Sequence, residues 1–226
     1  MRACAMPWHP RERAALLEAL SAVGPGAPTC CAGWRTEHLA AHILLREGDP
    51  LTAAGIVVPW LAERTERRTQ ELGDAATGTE DWSQLLATIR RGPPRWHPMS
   101  LAGDSVQLLE LFVHTEDVRR GRGPTTPREL PAGERAALWS RLRLAARGLY
   151  RSSPVGVVLS PEDEAGADLR VRSSPVPGSP AHDVVVRGQV GELVLHAFGR
   201  SAVADVEVLG HPDAVATLDA GRPRRD

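Results

Sequence analysis

The sequence predicts an α + α/β protein: an N-terminal helical bundle followed by a smaller α/β domain. Two observations carry this reading. Up to Tyr150, apolar residues recur at the three- and four-residue steps of amphipathic helices, and from Ser152 short Val-rich runs alternate with Gly, Pro and Ser clusters. A chain of 226 residues can bury the cores that two modest domains need. The division falls at 1–150 and 151–222, with Gly221 to Asp226 as a frayed tail.

In the first segment, Ala14, Leu17 and Leu20 mark a helix over Arg11 to Val23, which Pro10 can open and Gly24-Pro25-Gly26 ends. Thr36 suits the N-cap of a second helix running to Glu47, with Glu37 in the first turn, where the helix dipole favours an acid. Two further helices follow over Thr52 to Leu72 and Glu80 to Arg91, the second opened by a Thr or Asp cap and closed by Gly92-Pro93-Pro94. A fifth covers Leu101 to Arg120. The sixth, Pro131 to Tyr150, carries an apolar stripe of Ala137, Leu138, Leu142 and Ala145 and should pack on the bundle.

Val155 to Leu159, Leu169 to Val171, Val184 to Val186 and Val203 to Val208 read as strands. Leu193, Val194 and Phe198 argue for a helix within Gly188 to Gly199, and His211 to Ala220 reads as a short terminal helix.

Composition excludes several classes of function. Hydrophobic residues make up 42% and charged residues 24%, and no apolar run reaches the eighteen or so residues of a membrane span. Nothing near Met1 reads as a signal peptide, so a cytoplasmic location is expected. The formal charge of −1 supplies no basic field for nucleic acid or an anionic membrane. All 27 basic residues are Arg, a bias that points to GC-rich coding more than to phosphate binding. Cys4, Cys30 and Cys31 form a poor disulfide framework and are expected as reduced thiols. No nucleophile elbow, Gly-rich phosphate loop or CxxC pair is present.

The fifth helix holds the chemistry. Gln107, Glu110, His114 and Asp117 fall on one stripe, flanked by Val106 and Val113 on one side and Leu111 and Val118 on the other. A polar stripe between apolar walls faces inward, and its groups need partners or a metal to offset desolvation. Glu110 and His114, one turn apart, can reach one cation, and His42 on the inward face of the second helix offers a third ligand. Two nitrogens and one carboxylate make the set of a catalytic zinc site with an open position. The bland readings are an i,i+4 hydrogen bond for Glu110 and His114 and a satisfied core histidine for His42. Others are a solvated His38, a surface ion-pair cluster of Asp117, Arg119 and Arg120, a buried apolar role for Cys31 and a packing role for Trp34.

Cys31-Ala32-Gly33-Trp34-Arg35-Thr36-Glu37-His38-Leu39-Ala40-Ala41-His42 resembles the opening motif C-x-G-W-x-x-x-x-L-x-x-H of the mycothiol-dependent maleylpyruvate isomerase family, a branch of the DinB-like metal-binding superfamily. Glu110-Leu111-Phe112-Val113-His114-Thr115-Glu116-Asp117-Val118-Arg119-Arg120 resembles its second motif. Gly188-Gln189-Val190-Gly191-Glu192-Leu193 and Ala197-Phe198-Gly199-Arg200 are similar to its C-terminal domain, and the likeness is strongest to an actinobacterial group of metal-binding proteins. Where many relatives carry Asn before the glutamate and a second His after the ligand histidine, this chain has Asp104 to Gln107 and Thr115.

The resemblance implies a DinB-like four-helix bundle with zinc held by His42, Glu110 and His114. It implies mycothiol or a similar thiol as cofactor, and Arg200 as a catalytic and cofactor-binding cation. An arginine at the C-terminal end of a helix is also a routine cap. Asp117 is expected behind the ligands. The expected activity is thiol addition to an electrophilic substrate, as isomerase or S-transferase, by a monomer or homodimer. The alternative is a non-catalytic metal-binding or ligand-sensing protein of the same fold.

Overall fold

The computed structural model describes residues 7–49, 59–94, 100, 103–163, 168–173 and 183–220. It divides into two compact units, Met1–Arg122 and Gly123–Asp226. The apolar periodicity of the first unit becomes five α-helices among the described residues: α1 (His9–Val23), α2 (Thr36–Gly48), α3 (Pro59–Ala75), α4 (Thr79–Arg91) and α5 (Gln107–Arg119). Helix α1 packs on α5 and α4, and α2 packs on α3 and α4. Leu16 and Leu20, Leu39 and Ile43, Leu85 and Ile89, and Leu111 and Val118 form one core from α1, α2, α4 and α5. No helix among the described residues is long and apolar enough to cross a membrane.

Several boundaries move for identifiable reasons. Arg35, in extended conformation, takes the N-cap position of α2 in place of the expected Thr36. The Thr36 hydroxyl instead donates to the Gly24 carbonyl at 2.7 Å and accepts from the Ala27 amide at 3.3 Å, tying the α1–α2 loop to the helix start. His38, expected to be solvated, is buried. Its Nδ1 accepts the Arg35 amide at 3.1 Å, so Nε2 carries the proton and donates to Asp74 at 3.0 Å. A Cβ at Gly73 would stand 2.4 Å from the His38 ring, so α3 approaches α2 this closely only with glycine there. The start expected for α3, Thr52 to Val58, lies outside the described residues, as do Leu101 and Ala102.

The expected fifth helix breaks into a 3-10 turn, Gly103–Ser105, followed by α5. Asp104, expected inside that helix, caps another helix. Its carboxylate accepts the Trp8 amide at 2.9 Å, the His9 amide at 2.7 Å and His9 Nδ1 at 2.8 Å. These satisfy donors at the start of α1 that have no partner within the helix.

Arg13, buried on α1, joins the four helices of the core. Its guanidinium donates to both Glu47 carboxylate oxygens on α2, to the Ile89 carbonyl at 3.0 Å on α4 and to Gln107 Oε1 at 2.8 Å on α5. A buried ion pair of this kind offsets its desolvation only because the remaining donors are satisfied too.

The second unit starts with α6 (Ala132–Leu149), which packs on helix α7 (Val190–Ala197) and strand β2. The sequence had assigned this helix to the bundle. Its buried face of Leu138, Trp139, Leu142 and Ala146 lies one step round from the expected stripe. Strands β1 (Gly156–Pro161), β2 (Leu169–Arg172), β3 (Asp183–Gly188) and β4 (Glu207–Gly210) form a sheet in the order β2-β1-β3-β4. The β1–β3 pair is parallel and the two edge pairs are antiparallel. Val203 lies in the turn before β4, not in the strand, and α8 (Pro212–Ala220) closes the described chain. Tyr150 bonds His196 Nδ1 at 2.7 Å, linking the end of α6 to α7.

Replacing Arg13 by Ala strands Glu47 and Gln107 in the core and should lower stability by about 3–5 kcal/mol in urea unfolding. Asp104→Ala should cost about 1–2 kcal/mol by loss of the cap. The amides of Trp8 and His9 and the His9 ring outweigh burial and hold the Asp104 carboxyl below its ordinary value. Its contribution is therefore complete above pH of about 4 and is lost as pH falls through the folded value. Asp104→Asn should flatten that acid limb in a stability–pH profile.

Candidate metal centre

The stripe on α5 faces inward as the periodicity predicts. Gln107, His114 and Asp117 are buried, whereas the Glu110 side chain is 24% exposed and Val106, expected in an apolar wall, is 44% exposed. The stripe is therefore closed at Gln107 and Asp117 and reaches solvent between them, at Glu110.

Helix α2 places His42 and Arg46, one turn apart, against Glu110 and His114. The rings of His42 and His114 lie 5.3 Å apart at 68°, and Arg46 Nε stands 3.8 Å from Glu110 Oε1. Trp34 packs against the other side of His42, with ring centroids 4.9 Å apart, and donates from Nε1 to Glu66 on α3 at 2.9 Å. His42, Glu110 and His114 each offer a ligand atom, all within 4.8 Å of one another. Ligands of a tetrahedral zinc stand roughly 3.3–3.6 Å apart, so modest side-chain movement closes this set around a cation.

Behind His114, Asp117 Oδ2 accepts from Nδ1 at 3.0 Å and from Cys31 Sγ at 3.2 Å, and the Asp117 carbonyl accepts the Cys30 amide at 3.0 Å. The carboxylate fixes the ring so that Nε2 points toward Glu110, 3.5 Å away. Cys31, His114 and Asp117 also lie within 4.8 Å of one another, so His114 has possible ligands at each ring nitrogen. Neither Cys30 nor Cys31 forms a disulfide among the described residues. Gly121 lets the chain after α5 reach the Pro28 carbonyl, which a Cβ would meet at 2.0 Å.

Electrostatics separate the two imidazoles. Burial, then the charge of His114, lowers the His42 pKa to about 3, which leaves a neutral ring with a free lone pair. Burial also opposes a charge on His114, but the hydrogen bonds to Asp117, Cys31 and Glu110 outweigh it and hold this ring protonated well above its ordinary range. For Glu110, burial would raise the carboxyl, and Arg46 followed by His114 more than reverses that and keeps it ionised.

Asp117, Arg119 and Arg120 are not a surface cluster. Asp117 and Arg120 are buried, and Glu116 receives Arg120 Nε and Arg119 Nη1, each at 2.7 Å. Arg200 belongs to the second unit, where its Nη1 donates to the Phe198 carbonyl at 2.8 Å beside the end of α7, the geometry of the capping alternative. Sequence reasoning missed Arg46, although its spacing of four from His42 places both on one face. It also missed the thiol bond from Cys31 to Asp117.

No family model and no curated protein sequence matches the chain. Among solved structures, the mycothiol-dependent maleylpyruvate isomerase aligns at 18% identity over 88% of this chain and 90% of that one, with a TM-score of 0.49. A histidine-to-alanine variant of that isomerase aligns at the same identity and coverage, with a TM-score of 0.50. At this identity the likeness is one of fold: a mostly helical chain with a small mixed sheet.

A cation at His42, Glu110 and His114 must displace the His114 proton. Since the pKa of His114 is raised, its proton is held at neutral pH in the metal-free protein. Affinity should fall about tenfold for each pH unit of acidification, measured by competition with a chromophoric chelator. Asp117→Asn should weaken binding by roughly 10- to 100-fold through loss of ring orientation.

Proposed function

We propose that this protein is a zinc-dependent enzyme that adds a low-molecular-weight thiol to an electrophilic substrate. The observation that carries the reading is the convergence of His42, Glu110 and His114 within 4.8 Å, with Glu110 partly open to solvent. Two neutral imidazoles and a carboxylate suit zinc and leave a coordination position for a further ligand. Zinc in that position would lower the pKa of a thiol such as mycothiol, so that a thiolate forms near neutral pH.

The side chains supply positioning and charge. His42 presents a lone pair, its ring held by Trp34. Asp117 orients His114 from the closed end, and Glu110 supplies the negative charge that balances part of the cation's. Thiolate attack on an electrophilic carbon forms a C–S bond. Departure of the same thiolate after rotation about the former double bond gives cis–trans isomerisation, and retention with protonation of the adjacent carbon gives S-transfer. The shared fold of the thiol-dependent isomerase favours this chemistry over the non-catalytic alternative only by analogy.

Elemental analysis of protein purified without chelators or a metal-affinity column should find about one zinc per chain. Glu110→Ala and His114→Ala should each lose it, with the fold retained by circular dichroism. Retained stoichiometric zinc in His114→Ala would overturn the ligand assignment. Turnover of an activated alkene with a thiol, absent in Glu110→Ala, would separate the enzyme from a sensor.

A further inference from the structure

We infer that the turn over residues 31–34 is the positioning element of the metal centre: it steadies both imidazoles at once, His114 through Cys31 and His42 through Trp34. The inference rests on the metal reading of His42, Glu110 and His114 and names what aims the two rings.

Two supports meet in this turn. Cys31, 3% exposed, donates from Sγ to Asp117 Oδ2 at 3.2 Å, and the same oxygen accepts from His114 Nδ1 at 3.0 Å. Trp34 packs its ring on His42, with centroids 4.9 Å apart, and is itself anchored by Glu66, which accepts from Nε1 at 2.9 Å. An imidazole binds a cation only while its lone pair is aimed, and contacts on the far side of the ring hold that aim. With its proton given to Asp117, Cys31 acts as a donor to the carboxylate and not as a metal ligand.

The backbone explains why one segment serves two rings. The Trp34 amide donates to the Cys31 carbonyl at 3.1 Å, which closes a β-turn with Cys31 first and Trp34 fourth. Gly33, third in the turn, has φ of 78°, a value that favours glycine, and a Cβ there would meet nothing within 4 Å. Conformation, not space, therefore calls for glycine. Thr29 locks the two ends, since its hydroxyl donates to the Trp34 carbonyl at 2.8 Å and accepts the Cys31 amide at 3.2 Å. The Cys30 amide ties the turn to α5 by donating to the Asp117 carbonyl at 3.0 Å. The first and fourth Cα atoms of a β-turn lie within about 7 Å, which suits side chains that serve two rings 5.3 Å apart. The spacing Cys-x-Gly-Trp is thus the spacing of the turn.

The test uses the full chain loaded with zinc or cobalt, with affinity read by competition with a chromophoric chelator. Cys31→Ala and Trp34→Leu should each weaken zinc binding about tenfold. Cys31→Ser, which keeps a donor, and Trp34→Phe, which keeps a ring, should recover most of that loss. The cobalt ligand-field bands report coordination geometry, so they should change in the first two variants and return in the conservative pair. Affinity and bands that stay unchanged in Cys31→Ala or Trp34→Leu overturn the assignment of that residue. A thiolate–cobalt charge-transfer band in wild type without added thiol, lost in Cys31→Ser, makes Cys31 a ligand and also overturns its assignment. If wild-type protein binds neither metal, the metal reading itself fails.

Discussion

A row of polar side chains inside a helical core must be satisfied from outside its own helix, and this requirement organises the first unit. Gln107, Glu110, His114 and Asp117 line the inward face of α5, where an unpaired amide, carboxylate or imidazolium would cost several kcal/mol. Three of them are answered by another element. Arg13 on α1 takes Gln107, Arg46 on α2 faces Glu110, and Cys31 in the loop before α2 donates to Asp117. The apolar core alone would tolerate small rotations of these helices. Directional bonds to buried charges tolerate far less.

Exposure also differs along the stripe. Asp117 is fully buried and its Oδ2 accepts from both His114 and Cys31, which makes it a support for the ring. Glu110 is partly exposed, and a cation or an incoming ligand meets it first. The two imidazoles between them are tuned in opposite directions. His42 is buried between Trp34 and the charged His114 and is kept neutral, and His114 lies between two carboxylates and is kept charged. A divalent cation replacing the His114 proton would supply two positive charges in place of one, so the buried carboxylates would remain compensated.

Much of this was legible because helical periodicity is a local property. The spacing of Glu110, His114 and Asp117 places them on one face whatever surrounds the helix, and Ala41, Leu45 and Ala40 mark the buried side of α2 that carries His42. Other features depended on residues distant in sequence. Asp104 caps α1 across 95 positions, a bond that no local pattern encodes and that shortens the expected fifth helix. His38 sits near a helix start, where solvent is the usual environment, and only the close passage of Gly73 on α3 buries it. Helix α6 has an apolar stripe that fits a bundle or a sheet equally well, and its contacts put it with α7 and β2.

By itself the sequence determined which residue types share a face, where helices give way to strands, and that His42, Glu110 and His114 could meet. The tertiary structure decided that Arg13 binds Glu47 and Gln107 and that the stripe reaches solvent at Glu110. It also decided that Cys31 serves Asp117. The physical reason is range: side-chain direction along a helix follows from a period of 3.6 residues, but hydrogen-bond satisfaction and exposure depend on which elements the whole chain brings together.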